Sequence, residues 1–345
     1  MSMLPECKRE PDFGELLKVL RREKPSRPVL YELYINNPIY ALASGEAWSD
    51  DLPRLQQAGL IAKAYKRLGY DYANPWRITD FRFPSGERNT GHTISQNEGA
   101  IITDQAAFED YRWPDPEKAR FIDDKDLLDQ LPAGMKFLTF GPGGLVENAV
   151  SLAGFENLCM MLMMEPDLAR AIFDSIGERL VKLYTIFAQY ESLGALVVTD
   201  DWGFKSQTFL SPPQMREFVI PWHRKIVAAI HAQGKPAILH SCGNPEGVMD
   251  DVIDTIGYDA RHSYEDAIIP VEKAWDRWGD RIAILGGIDV DFISTATPEA
   301  IHKRCTAMLE RTAEKGGYAL GTGNSIPEYI PRENYFAMIT AALDY

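Results

Sequence analysis

Lys235-Pro236-Ala237-Ile238-Leu239-His240-Ser241-Cys242-Gly243 is a short apolar run that ends in His-x-Cys-Gly. Successive side chains of a strand point to opposite faces, so His240 and Cys242 share one face. An imidazole and a thiol arriving together make a borderline-soft metal pair, half of a zinc site. The same pair is also what a strand with a merely buried thiol would look like. The segments around it decide between the two.

Outward from this run the chain alternates. Apolar, strand-like runs occupy 29–35, 70–73, 136–140, 195–199, 236–239, 259–264, 281–285 and 318–320. Between most of them lie segments of helical period, at 52–68, 166–190, 212–233, 245–256, 270–278 and 298–315. Several of these open with Pro in the first turn, and Gly follows the helical stretches at 69, 194, 234, 257, 279 and 316. Eight β/α units predict an α/β fold, a (β/α)8 TIM-type barrel, as one domain over 1–345. The segment 76–130 breaks the rhythm with Trp76, Phe81, Phe83, Tyr111 and Trp113, and is expected to be an insertion near the barrel mouth, either lid-like or packed on its side.

Composition narrows the function. With 50 acidic against 36 basic residues the formal charge is -14, which disfavours a nucleic-acid partner. No apolar run reaches membrane-span length and the first residues lack a signal-peptide core, so a cytoplasmic protein without a membrane partner is expected. Cysteines at 7, 159, 242 and 305 are too few and scattered for a disulfide framework. The run Cys159-Met160-Met161-Leu162-Met163-Met164 reads as a methionine-rich helix packed into the core.

Catalytic groups of such a barrel stand at the carboxyl ends of its strands. There the chain carries Phe140 to Glu147 with Gly141, Gly143 and Gly144, then Asp200-Asp201-Trp202-Gly203, His240 to Asn244, His262-Ser263-Tyr264-Glu265-Asp266, Gly286-Gly287-Ile288-Asp289 and Gly321-Thr322-Gly323-Asn324-Ser325. Six polar strand ends converging on one rim point to an active site.

These residues resemble the uroporphyrinogen decarboxylase superfamily, in particular its branch of zinc-dependent, corrinoid-linked methyltransferases of the methylcobalamin:coenzyme M type. The resemblance runs over 141–338. It rests on Gly141-Pro142, Ala153-Gly154-Phe155-Glu156, Asp200 to Gly203, Leu210-Ser211-Pro212, 218–221, His240 to Asn244, Leu285 to Asp289, and Ile326-Pro327 through Glu333-Asn334. It implies zinc at His240 and Cys242, and a corrinoid (cobalamin) carried by a separate protein. The decarboxylase branch holds its tetrapyrrole with an N-terminal Arg-rich segment, whereas Leu30 to Asn37 contains no arginine here. The thiol-methylating members add a Cys from the last strand, and 321–325 has none. The resemblance to cobalamin-independent methionine synthases suggests Glu265 as a further metal ligand, with His262 as a rival.

The expected activity is therefore methyl transfer between a small-molecule donor or acceptor and the corrinoid protein, with O-demethylation of a methoxylated compound favoured by the missing thiol. Asp200 and Asp201 straddle a strand end, so one of them is expected to face the pocket as a general acid or orienter while the other caps a segment; Glu147 is a further catalytic candidate and Asp289 a weaker one. Tyr31, Tyr34, Trp202 and Asn324 are the expected substrate contacts, with Phe204 nearby. Alternatives are a metal-free decarboxylase of a small carboxylic acid and a catalytically silent small-molecule binder. The oligomeric state stays open, a homodimer being one assembly compatible with the sequence.

Overall fold

Strands rich in Val, Leu, Ile and Ala, apolar on both faces, are the kind that a parallel sheet buries under helices. In the computed structural model, which describes residues 4–75, 77–86 and 97–345, seven of them form one parallel sheet in chain order: β1 Tyr72–Ala73, β2 Lys136–Phe140, β3 Leu193–Thr199, β4 Ala237–His240, β5 Ala260–His262, β6 Ala283–Leu285 and β7 Tyr318–Ala319. Sequential order with parallel pairing throughout requires a helical crossover after almost every strand, the rhythm of a (β/α)8 barrel.

The eighth strand is irregular. Residues 29–35 make isolated parallel bridges, Leu30 with Leu320 and Ile35 with Ile326, rather than a regular strand. On the β7 side the backbone bonds are present, Leu320 N to Val29 O at 2.8 Å and Tyr31 N to Leu320 O at 2.8 Å. Towards β1 the seam is made by side chains: the Tyr72 hydroxyl accepts from the Glu32 N–H (2.7 Å) and donates to the Glu32 carbonyl (2.6 Å), while Asn74 Nδ2 donates to Leu33 O (2.6 Å). On the β7 side Gly321 allows the close approach, since a Cβ at that position would lie 1.6 Å from the Tyr31 carbonyl oxygen.

Helices cover the outside. Pro166–Ala188 opens with proline and buries Leu168, Ile172, Phe173, Ile176, Leu180, Leu183 and Phe187, an apolar stripe at three- and four-residue spacing. Gly69, Gly234, Gly257 and Gly316 follow helical stretches in the left-handed region, the stop signal read from the sequence. Asp289 caps the helix Val290–Thr295 by accepting from Phe292 N.

One expectation changes. The helix Phe155–Met164 buries Leu158, Met161 and Leu162 but leaves Met160, Met163 and Met164 exposed, so most of its methionines are not core. In the 76–130 segment, Trp76 lies outside the described residues. Of its described parts, Thr79, Phe81, Arg82 and Arg120 line a cavity with Phe140 to Gly143 at the carboxyl end of β2, while Phe108 and Tyr111 pack on Trp113 and the Arg179 guanidinium stacks on the same indole. Among the described residues no helix is long and apolar enough to cross a membrane.

Candidate metal centre and active site

Parallel register sets the site. Thr199 on β3 pairs with His240 on β4, which pairs with His262 on β5, so three strand ends place these side chains abreast at the carboxyl rim. His240 Nδ1 lies 2.8 Å from His262 Nδ1, and His262 Nε2 lies 3.0 Å from the Thr322 carbonyl oxygen. A carbonyl only accepts, so His262 carries its proton on Nε2. Burial holds His262 down to about 4 and His240 well below the usual histidine range, so both rings are neutral. His262 Nδ1 must then accept, and His240 must donate from its own Nδ1. The consequence is a bare lone pair on His240 Nε2.

That lone pair faces Cys242 Sγ at 3.7 Å. Asp201 completes the group: the donor atoms of Asp201, His240 and Cys242 lie within 4.8 Å of one another. The Asp201 carboxylate is held by the Cys242 N–H at 2.8 Å, and Asn324 Nδ2 donates to the Cys242 sulfur at 3.3 Å. Burial and the nearby Asp201 keep the Cys242 thiol above the usual thiol range; burial also raises Asp201. A dication reverses both tendencies, because it stabilises thiolate and carboxylate together. Nitrogen, sulfur and oxygen donors of this kind fit zinc, with a buried hydrogen-bond relay behind the histidine. Glycine is needed at 243, where φ is +85° and a Cβ would lie 2.2 Å from the Gly203 carbonyl oxygen.

The paired aspartates separate. Asp200 is fully buried and points at the N-terminus of the helix Leu145–Ala153, where its carboxylate accepts from Val146 N, Glu147 N, Trp202 Nε1 and His223 Nε2 at 2.9–3.2 Å. Gly144 permits this approach, since a Cβ there would sit 2.1 Å from Asp200 Cβ. His223 continues to the Tyr258 hydroxyl at 2.7 Å. Sequence reading did not single out this His223–Tyr258 extension; the only signal for it was a histidine on the buried face of a helix.

Glu147 stands on the same helix start, with Oε2 accepting from Gly144 N at 2.9 Å. Burial first, then the Asp200 and Asp201 charges, push its carboxyl up to about 8. With Asp201, His240, Leu33, Tyr34 and Phe140 it lines a cavity of about 370 Å³. The other expected residues are placed as follows. Tyr31 is buried, its ring edge-on to His262 at 5.1 Å, and Trp202 is enclosed against His223. Neither lines that cavity. Tyr34 and Asn324 line a neighbouring opening with Glu265. Glu265 lies outside the three-donor group and pairs with Lys205 at 3.2 Å.

A (β/α)8 barrel with a partly buried N, S, O donor group at the carboxyl ends of its strands is an enzyme-like scaffold with a candidate metal centre. The chain belongs to the uroporphyrinogen decarboxylase (URO-D) family, whose profile matches residues 129–345. It is similar to the methylated-thiol--coenzyme M methyltransferase of Methanosarcina mazei, 27% identical over 195 residues, 55% of this chain and 48% of that protein. It is also similar to the uroporphyrinogen decarboxylase of Geobacter sulfurreducens, 24% identical over 247 residues, 69% of each. The chain spans about half the length of most of the curated relatives it matches. Among solved structures, a methyltransferase from Methanosarcina mazei superposes with a TM-score of 0.70 at 17% identity, covering 97% of this chain and 99% of that one, which shows a shared fold.

Proposed function

We propose that the chain is a zinc-dependent methyltransferase that moves a methyl group between a methoxylated small molecule and the corrinoid of a separate protein. The observation that carries this reading is the grouping of Asp201, His240 and Cys242 donor atoms within 4.8 Å, beside a cavity that also holds Glu147. Asp201 takes the third ligand position that the sequence resemblance suggested for Glu265. The similarity to a methyltransferase adds support.

Bound to these residues, zinc would supply Lewis acidity toward an oxygen or a thiol. Leu33, Tyr34 and Phe140 offer the methoxylated ring an apolar wall and exclude water from it. Glu147, protonated at neutral pH, donates from the carboxyl oxygen opposite its Gly144 contact, and its proton neutralises the ether oxygen as the O–CH3 bond breaks. Asp200 holds the backbone of Val146 and Glu147 and so positions that acid. One sulfur ligand rather than two leaves the centre less electron-rich, which suits oxygen leaving groups over thiol activation.

The test is spectroscopic: protein, reduced corrinoid carrier and a panel of aryl methyl ethers, methanol and methylamines are mixed and methylcobalamin formation is followed. An aryl methyl ether as donor supports the reading. Consumption of methylcobalamin by thiols, with no ether ever serving, replaces it with thiol methylation. The decarboxylase relatives favour a second reading, a metal-free decarboxylase acting through Asp200 or Asp201; Asp200 has its oxygens engaged with four donors, which leaves Asp201, in the cavity wall, as the group for that reading. Full turnover of a carboxylic acid by zinc-free protein would support that alternative.

A further inference from the structure

On β5, His262 points to the histidine pair, so Arg261 must point the other way, out of the barrel and under the helix layer. There it enters a cavity of about 230 Å³ between the 243–246 loop and the helix Val271–Trp278. Arg261 is only 2% exposed. Among the described residues its one hydrogen bond is a long one, Nη2 to Ser241 O at 3.3 Å, and Nε has no partner. The Tyr264 ring lies under it at 4.5 Å.

The carboxylates in the same wall do not answer this charge. Glu246 is taken by Arg277 and Glu265 by Lys205. Among the described residues Arg261 makes no ion pair. A buried cation without a counter-charge is costly, and the planar guanidinium fork is suited to holding two oxygens of one anion.

We infer that this cavity is a second ligand site, separate from the metal centre, that takes an oxyanion: a carboxylate, sulfonate or phosphate seated on the Arg261 guanidinium. Its volume admits a group of a few heavy atoms. It shares Tyr264 and Glu265 with the larger opening at Tyr34 and Asn324, so the anion is either free or the end of a longer molecule reaching the mouth. Ser263, in the same wall, touches Cys242 Sγ at 3.9 Å, which puts the occupant one side chain from the metal ligands.

The experiment is thermal unfolding of the full chain at constant ionic strength, with chloride replaced by phosphate, sulfate, acetate or benzoate. A saturable rise in Tm with an oxyanion is expected in the parent protein. It disappears in Arg261→Met and persists in Cys242→Ser, which keeps this site apart from the metal reading. A response to phosphate alone identifies a free inorganic anion; a response to acetate and benzoate identifies the end of an organic acid. An equal rise in Arg261→Met, or no oxyanion-specific rise in the parent, overturns the inference. Should Arg261→Met fail to fold, ¹⁵N spectra of the arginine Nε–H groups in the parent decide it: one protected Nε–H that shifts with the oxyanion supports the site, and an unmoved spectrum refutes it.

Discussion

Replacing His262 tests whether the bare nitrogen of His240 is made by its neighbour. In His262→Phe the acceptor at 2.8 Å from His240 Nδ1 is gone, and so is the donor to the Thr322 carbonyl. The Thr322 carbonyl keeps the Gly287 N–H at 2.9 Å, so one buried polar group, the His240 Nδ1–H, lacks a partner, and a loss of about 1–3 kcal/mol of stability is expected. The effect on the metal is separate. Without a fixed acceptor the His240 ring can rotate or carry its proton on Nε2, and loss of such an outer partner typically weakens metal binding by about 10–100-fold. His262→Gln, which can accept from one side and donate to the other, recovers part of both losses. The assay is chelator competition for zinc, with circular dichroism checking the fold. Parent-level zinc affinity in folded His262→Phe would refute the relay.

Asp201→Asn weakens zinc binding far more than Glu265→Gln, because Asp201 belongs to the donor group and Glu265 pairs with Lys205; similar losses in both, by chelator competition, would move Glu265 into the ligand set. Glu147→Gln lowers methyl transfer by about 10²–10⁴ while zinc content stays at the parent level, and the parent rate falls as pH rises through about 8, where Glu147 loses its proton. A flat rate from pH 7 to 9 would exclude Glu147 as the acid. Glu32 is buried with its carboxylate on Thr322 N and Oγ1, and burial pushes it up to about 8 from an ordinary value near 4.5. Because the folded state binds its proton more tightly, its contribution is fully present below about 4.5 and is lost as pH rises through about 8. At about 1.4 kcal/mol per pH unit the window amounts to on the order of 5 kcal/mol. Denaturant unfolding across that range should show Glu32→Gln removing this slope, and an unchanged slope would place the titration elsewhere.

The barrel is legible in the sequence because its units are locally marked: apolar runs, proline at helix starts, glycine after helix ends. The closing seam is not, since residues 29–35 meet β1 through the Tyr72 hydroxyl and the Asn74 amide, which no periodicity encodes. His240 and Cys242 are legible as a pair from strand alternation. Which of Asp200 and Asp201 faces the pocket is not, because the choice is made by a helix start more than fifty residues earlier, whose N–H groups claim Asp200. His262 shares the inward face with His240, but only the Thr322 carbonyl reveals it as the partner behind a ligand. Trp202, at a strand end by sequence, turns its indole N–H onto Asp200 instead of the cavity.

X-ray absorption at the zinc edge of the zinc-loaded protein tests the central claim most directly. One zinc per chain is expected, with a single sulfur at about 2.3 Å and nitrogen or oxygen ligands at about 2.0–2.2 Å, the sulfur shell vanishing in Cys242→Ser. Zinc without any sulfur neighbour, or a sulfur shell that survives in Cys242→Ser, would contradict it.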